Sequence, residues 1–424
     1  MRIIGFDEYE YTRNVGIPDE VTETVKDIIS NVKEKGNAAI IEYSEKFDRV
    51  TLEEKDLKID WSELRKAYNR IPDSLRKALW NSAERIRKFQ EIQVPEGVTI
   101  ETAPGVRVGV MFDPIESVGL YIPGGSASYP STVLMTAIPA KVAKVNRCVL
   151  FTPPGRDGKI PDSILATAYL AEVDEVYSAG GAQAIAAMAY GTQTIKKVEK
   201  IVGPGNIYVT AAKMLVSWDV AVDMPAGPSE VLIYTEGFDK VEWLAADVMA
   251  QAEHDPRSKA VIVTTSRELA EDICLKVEIG LAGSARKDIL EKSLAQSVAI
   301  VVKDREEGAR VVNEIAPEHL ELVGRGAEEI LKLIRNAGAI FVGEFSPVPL
   351  GDYTAGTNHV LPTMGWAKRS SPLSVRDYLR AREFIRCSEE GLKAIGNDAM
   401  VIASSEGLLN HAKSIAVRMM KGDI

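Results

Sequence analysis

The sequence predicts an α/β protein, and three observations carry that expectation. From residue 107 onward, short runs rich in β-branched residues alternate with helix-patterned stretches, the rhythm of parallel βαβ units. A second such series follows the PAGPSE turn at 225–230, so a second α/β sheet is expected. The composition, 46% hydrophobic and 26% charged over 424 residues, matches a globular chain long enough for two or more cores.

The first hundred residues are charged and mostly helical in pattern, as in TETVKDIISNVKEKG (22–36) and DSLRKALWNSAERIRKFQEI (73–92). Strands are expected at RVGVMF (107–112), SVGLYIP (117–123), CVLFTP (148–153), EVYSAGG (175–181), KIVGPG (200–205) and EVLIYT (230–235). Helices fall between them at 131–145 and 182–191. The second series reads helix at 239–254, strand at AVIVTT (260–265), helix at 266–281, and strands at VAIVVK (298–303) and AGAIFVGE (337–344). After the Pro- and Gly-rich stretch 346–366 the pattern returns to helix. This tail is too short to bury a large core alone, so it is expected to pack on something else.

With 51 basic against 61 acidic residues the net charge is -10, which repels a phosphate backbone or an anionic membrane. The N-terminus, MRIIGFDEYEYTR, lacks the basic and apolar regions of a signal peptide, and no run is apolar enough to span a bilayer. A cytoplasmic protein is expected. Cys148, Cys274 and Cys387 form no CxxC unit and have no flanking base or glycine turn. Burial as small hydrophobes is expected for the first two, and a sparse, odd count fits a reducing compartment.

Glycine-rich turns occur at 121–131, 178–184, 203–206 and 225–230, each expected to end a strand and open a helix. Amides at such helix starts hold a phosphate or carboxylate, and glycine lets the ligand approach. A single such turn is a plain connection, and no G-x-G-x-x-G fingerprint is present. Four in succession point to a binding crevice at the strand ends.

Only four histidines occur, each in a polar setting: His254 in QAEH, His319 in APEHLEL, His359 in GDYTAGTNH and His411 in SSEGLLNH. None is spaced for a finger-type motif, so a shared site must be assembled by the fold and would be catalytic rather than structural. Gln251 and His254, three apart near a helix end, can face one metal; equally, His254 can simply complement the helix C-terminus. A carboxamide ligand would make the site harder than a thiolate one and leaves manganese open in vitro. Glu318 and His319, in a turn after Pro317, can divide base and acid roles, although an exposed helix start would account for them too. Asp352 and His359 share a loop dense in donors and acceptors. Glu406 and His411 would sit about 140° apart on an unbroken helix, so joint use needs a break at Gly407.

GLYIPGGSASYPSTVLM, SAGGAQAIAAMAYG, IVGPGNIYVTAAK, DMPAGPSEVLI, ADVMAQAEHD, APEHLEL and PLGDYTAGTNHVLPT, in this order over most of residues 107–424, closely resemble the histidinol dehydrogenase family. The resemblance implies oxidation of L-histidinol through L-histidinaldehyde to L-histidine, with NAD as hydride acceptor and one zinc per subunit. It implies Gln251, His254, Asp352 and His411 as zinc ligands, with the metal orienting the substrate. His319 would be the general base and Glu318 would activate water. Ser229, His359 and Glu406 would contact substrate; Tyr121, Gln183 and Asn206 would contact NAD.

The implied fold is two incomplete Rossmann-like α/β domains with small helical segments at both ends. The expected boundaries are an N-terminal helical arm over 1–30, a first α/β domain from 31–115 and 230–368 carrying the metal and catalytic residues, and a second over 116–229 on the NAD side. A C-terminal segment over 369–424 would dimerise, and the family's homodimer would deliver Glu406 and His411 to the partner's site. With no cysteine in a reactive setting, a hydrated aldehyde replaces the usual thiohemiacetal. Two other classes use the same residues: a zinc hydrolase, which would turn over without pyridine nucleotide, and a silent metal or nucleotide binder, which would bind without turnover.

Overall fold

A computed structural model describes residues 1–9, 16–124, 128–224 and 227–420 of the chain. Parts of two glycine-rich turns, 125–127 and 225–226, lie outside the described residues.

Sheet I has six strands in the spatial order Lys58–Ile59, Glu175–Ser178, Arg147–Thr152, Ser117–Tyr121, Lys200–Val202, Ala221–Val222. All pairs are parallel except the first. Its two faces are equally apolar, because alternate residues feed opposite cores. Val118, Leu120 and Leu150 pack with the helices Trp61–Arg70, Asp73–Glu91 and Pro130–Val142, whereas Val149, Phe151 and Tyr177 pack with Asp19–Lys35, Gly181–Tyr190 and Ile207–Val216. Burial on both sides explains why these strands read as unbroken apolar runs.

Sheet II also has six strands, Arg2–Gly5, Val298–Val301, Lys259–Thr264, Glu230–Glu236, His319–Gly324 and Ala339–Val342, all parallel. It is covered in the same way: Val231, Ile233 and Ile262 serve one core, Leu232, Tyr234 and Val263 the other. In each sheet a central strand, Ser117–Tyr121 or Glu230–Glu236, lies between neighbours reached in opposite directions, the switch point where α/β sheets open a crevice.

Several expectations need correction. The helices of 31–115 do not join the unit built from 230–368. Leu64, Ala67, Leu79, Ala83 and Ile86 bury their apolar stripe against Val118 and Leu120, so the helices Trp61–Arg70 and Asp73–Glu91 belong with sheet I. The N-terminal arm is not wholly helical either, since Arg2–Gly5 completes the edge of sheet II. EVLIYT is the centre of sheet II rather than the last strand of the first series, so the PAGPSE turn opens a strand and not a helix.

RVGVMF forms no parallel βαβ unit. It lies in Val106–Pro114, the middle of an antiparallel three-stranded sheet between Val98–Ala103 and Leu379–Cys387. The last of these strands, LRAREFIRC, carries charges at close intervals and shows no strand alternation, which hides it within a stretch expected to be helical. Just before it, Leu373, Val375 and Tyr378 are buried in the core of sheet I, so the chain crosses the molecule before the arm begins. The arm itself is two helices, Glu389–Ser405 and Leu409–Met419, broken at Gly407 with φ +75°. Cys148 and the partly buried Cys274 sit in a strand and a helix as expected; Cys387 is exposed. No described helix is long and apolar enough to cross a membrane.

Candidate active site

The site begins where a helix is forced to stop. Ala316 adopts a left-handed φ of 52° at the end of the helix Arg305–Ile315, and Pro317 cannot continue it. The chain turns directly into the strand His319–Gly324, whose parallel register sets His319 beside Val231. The backbone of Glu230 therefore lies between two side chains. Its N–H donates to Glu318 Oε2 at 2.9 Å, and its carbonyl lies 3.2 Å from His319 Nδ1. Glu318 and His319 are both buried, which excludes an exposed helix start.

A carbonyl can only accept, so Nδ1 carries the ring proton. Nε2 is left facing Asp352 Oδ1 at 3.5 Å, buried and otherwise without a hydrogen-bond partner among the described residues. Burial opposes charging the imidazole, but Glu318, Asp352 and the Glu230 carbonyl outweigh it and push His319 up to about 9. Burial pushes Glu318 up to about 7 against the opposing charge of His319. Burial would also raise Asp352, but His319 holds it below the usual carboxylate range.

Asp352 comes from the short helix Val348–Tyr353. His359 follows in the next loop; burial pushes its pKa down, and among the described residues its Nε2 meets no hydrogen-bond partner. His254 lies two residues beyond the helix Val241–Ala252, and its amide reaches back to the Gln251 carbonyl at 3.4 Å. His254, His319 and His359 all lie within the electrostatic field of Asp352. Gln251 is buried, and its Nε2 has no hydrogen-bond partner among the described residues. Ser229 stands next to Glu230, its carbonyl 3.4 Å from the Lys259 amide.

Glu406 and His411 are not brought in. Both are exposed on the C-terminal arm, and among the described residues no hydrogen bond or ion pair joins them to this cluster. No group of three or more His, Cys, Asp or Glu side chains among the described residues is arranged to hold a metal. Gln251, His254 and Asp352 thus make an incomplete donor set, one amide, one imidazole and one carboxylate, where zinc takes four ligands.

Three expected cofactor contacts lie at the carboxyl ends of sheet I or on the helices that follow. Tyr121 is buried, and its hydroxyl accepts from the Gly181 amide at 3.0 Å. Gln183, on the helix begun at Gly181, is buried, and its Oε1 has no hydrogen-bond partner among the described residues. Asn206 is exposed and caps the helix Ile207–Val216, accepting from Tyr208 N at 3.0 Å and Val209 N at 3.1 Å. Glu318 and His319, in contrast, lie at the amino end of a strand of sheet II.

Four further residues belong to the site's support. Glu230 is 2% exposed; its carboxylate accepts from Met364 N at 2.9 Å and pairs with Lys259 at 3.0 Å. Glu321 and Asp247 lie behind His319. A carboxyl inside the apolar strand HLELVG was the available sign of Glu321.

A family model described as histidinol dehydrogenase matches residues 12–419 of this chain. The chain belongs to the histidinol dehydrogenase family. The histidinol dehydrogenase of Archaeoglobus fulgidus is 47% identical over 410 residues, covering 96% of this chain and 98% of that protein. That of Methanothermobacter thermautotrophicus is 45% identical over 402 residues, covering 95% and 93%. The crystal structure of histidinol dehydrogenase from Elizabethkingia anophelis superposes with a TM-score of 0.94 at 38% identity, covering 99% of this chain and 97% of that one. As a histidinol dehydrogenase family member the protein is an oxidoreductase.

Proposed function

We propose that the protein oxidises L-histidinol to L-histidine through L-histidinaldehyde, the closing steps of histidine biosynthesis, with NAD accepting a hydride in each oxidation. The family supports the substrate. The observation that carries the mechanism is the tether of His319 Nδ1 to the Glu230 carbonyl, which leaves Nε2 as the basic nitrogen inside the site. His319 Nε2 takes the alcohol proton in the first oxidation. Glu318, held through Oε2 by the Glu230 amide, deprotonates the water that hydrates the aldehyde, and His319 acts again in the second oxidation. No cysteine is placed for a thiohemiacetal: burial pushes Cys148 up to about 12 and also raises Cys274.

Gln251, His254 and Asp352 would hold a zinc ion, with His411 of a second copy as fourth ligand. A zinc ion held there would supply a Lewis acid that orients the substrate. Ser229 and His359, with Glu406 of the second copy, contact the substrate in this reading. Tyr121, Gln183 and Asn206 border the NAD. The buried Gln183 Oε1 and Gln251 Nε2, each without a hydrogen-bond partner among the described residues, support ligands at both places, because burying a polar atom unpaired is costly. The exposed position of His411 supports delivery in trans.

The deciding experiment counts NADH formed per L-histidinol consumed, before and after metal chelation and zinc restoration. Two NADH per histidinol, lost on chelation and regained with zinc, is the expected result. Turnover without nucleotide would instead mark a hydrolase, and zinc binding with no turnover a silent binder.

A further inference from the structure

Behind His319 lie two carboxyl groups that take no part in the proton transfers above. Glu321 shares a face of the strand His319–Gly324 with His319, two residues away, and is 1% exposed. Its Oε1 accepts the amide of Val348 at 2.8 Å, the first residue of the helix that carries Asp352. Its Oε2 is buried and meets no amide, hydroxyl or ammonium donor among the described residues. What faces Glu321 is the carboxyl of Asp247, on the wall of the same small cavity. Two carboxyl groups bond to one another only through a shared proton.

Asp247 lies one turn before Gln251 on the helix Val241–Ala252, so the two share a helix face. Three elements that each supply a site residue therefore meet at one carboxyl pair. The other titratable groups around it are His319, on the same strand, and Glu344, across a small cavity walled by Phe238, Trp243 and Val323. Glu344 is itself paired with Lys240 at 3.0 Å.

We propose that Glu321 and Asp247 form a proton-sharing pair that positions the site, bracing the strand of His319 against the helices of Gln251 and Asp352. The limb that reaches Gln251 and Asp352 rests on the zinc reading above, whereas the limb to His319 does not. Both groups are positioning residues, since neither touches the reacting atoms. Burial and the neighbouring Asp247 push Glu321 up to about 8, and burial pushes Asp247 up to about 6, as a shared proton requires.

A carboxyl raised in the fold contributes stability that is full below its unfolded pKa and is lost as pH rises through the folded value. For Glu321 that window runs from 4.5 to about 8. Glutamine mimics the protonated acid: it accepts from Val348, donates to Asp247 and never ionises. The test takes the full-length enzyme as wild type, E321Q and E321L, and follows the unfolding midpoint across that window, zinc retained after dialysis, and kcat and KM for L-histidinol.

E321Q is expected to show a flatter midpoint profile than wild type and to keep its zinc and kcat. Folded E321L is expected to lose about 10- to 100-fold in kcat, the range seen when outer-sphere partners of a site are removed, and to shed zinc. A wild-type slope in E321Q overturns the shared proton, and wild-type kcat in folded E321L overturns the brace. Should E321L fail to fold, the E321Q slope alone decides. Wild-type enzyme that neither holds zinc nor oxidises histidinol would refute the functional reading, while the slope would still rule on the pair.

Discussion

At His319 one nitrogen is tied to a backbone carbonyl and the other is left for chemistry, and that division of labour makes the residue testable. Asn at this position keeps a donor for the Glu230 carbonyl but has no base. H319N is expected to stay folded and to lose about 10²- to 10⁴-fold in kcat, the usual worth of a positioned base. Folded H319N with unchanged kcat would remove His319 from the proton path. E318Q is a finer probe, because glutamine still accepts the Glu230 amide and only basicity is lost. Aldehyde oxidation should then suffer more than alcohol oxidation in separate assays of the two half-reactions; equal losses would assign Glu318 some other role. Glu318 and His319 were legible in the sequence as a polar pair after proline. That they hold the amide and the carbonyl of the same residue, Glu230, was not, because the grip depends on the register between strands 88 residues apart.

At the scale of elements, the turn GPGN shows how the protein fixes the end of a strand in sheet I. Gly203 has φ +119°, and a Cβ there would sit 2.1 Å from the Tyr121 carbonyl oxygen, so no other residue fits. A buried ion pair holds the same glycine from both sides. Asp223 accepts its amide at 2.7 Å, Lys213 donates to its carbonyl at 3.0 Å, and the two charges contact each other. Removing one partner of such a pair leaves a buried charge uncompensated, so K213M should cost about 3–5 kcal/mol in denaturant unfolding. A loss no larger than that of a surface lysine would mean that the pair does not pin the turn. Helices and apolar strands were readable as elements because their periodicity is local. Leu379–Cys387 was not, since its ladder partner lies in Val106–Pro114 and its own charges break the alternation.

The whole molecule carries an arm that this chain alone does not bury. Ile395, Val401, Ile402, Leu409 and Val417 on the two C-terminal helices are exposed, together with Val98 and Ile100 on the antiparallel sheet beneath them. A monomer seldom leaves so much contiguous apolar surface in water, which agrees with a second copy covering it. If His411 acts in trans, H411A and H319N homodimers should each be inactive, yet subunit exchange between them should restore turnover. The active heterodimer site would combine His319 from one chain with His411 from the other. No recovery after verified exchange would place each site within a single subunit.

The sequence by itself determined the class of fold, the run of glycine turns and the polar residues able to do chemistry, because all of these are written in local pattern and residue type. Only the tertiary structure decided the packing of the helices Trp61–Arg70 and Asp73–Glu91 on sheet I, the seat of Glu318 and His319 at a strand's amino end, and the two carboxyl groups behind them. Those features depend on which apolar faces meet and on the register of distant strands. Neither is encoded in any short window of the chain, because each is settled by where the largest apolar area can be buried at once.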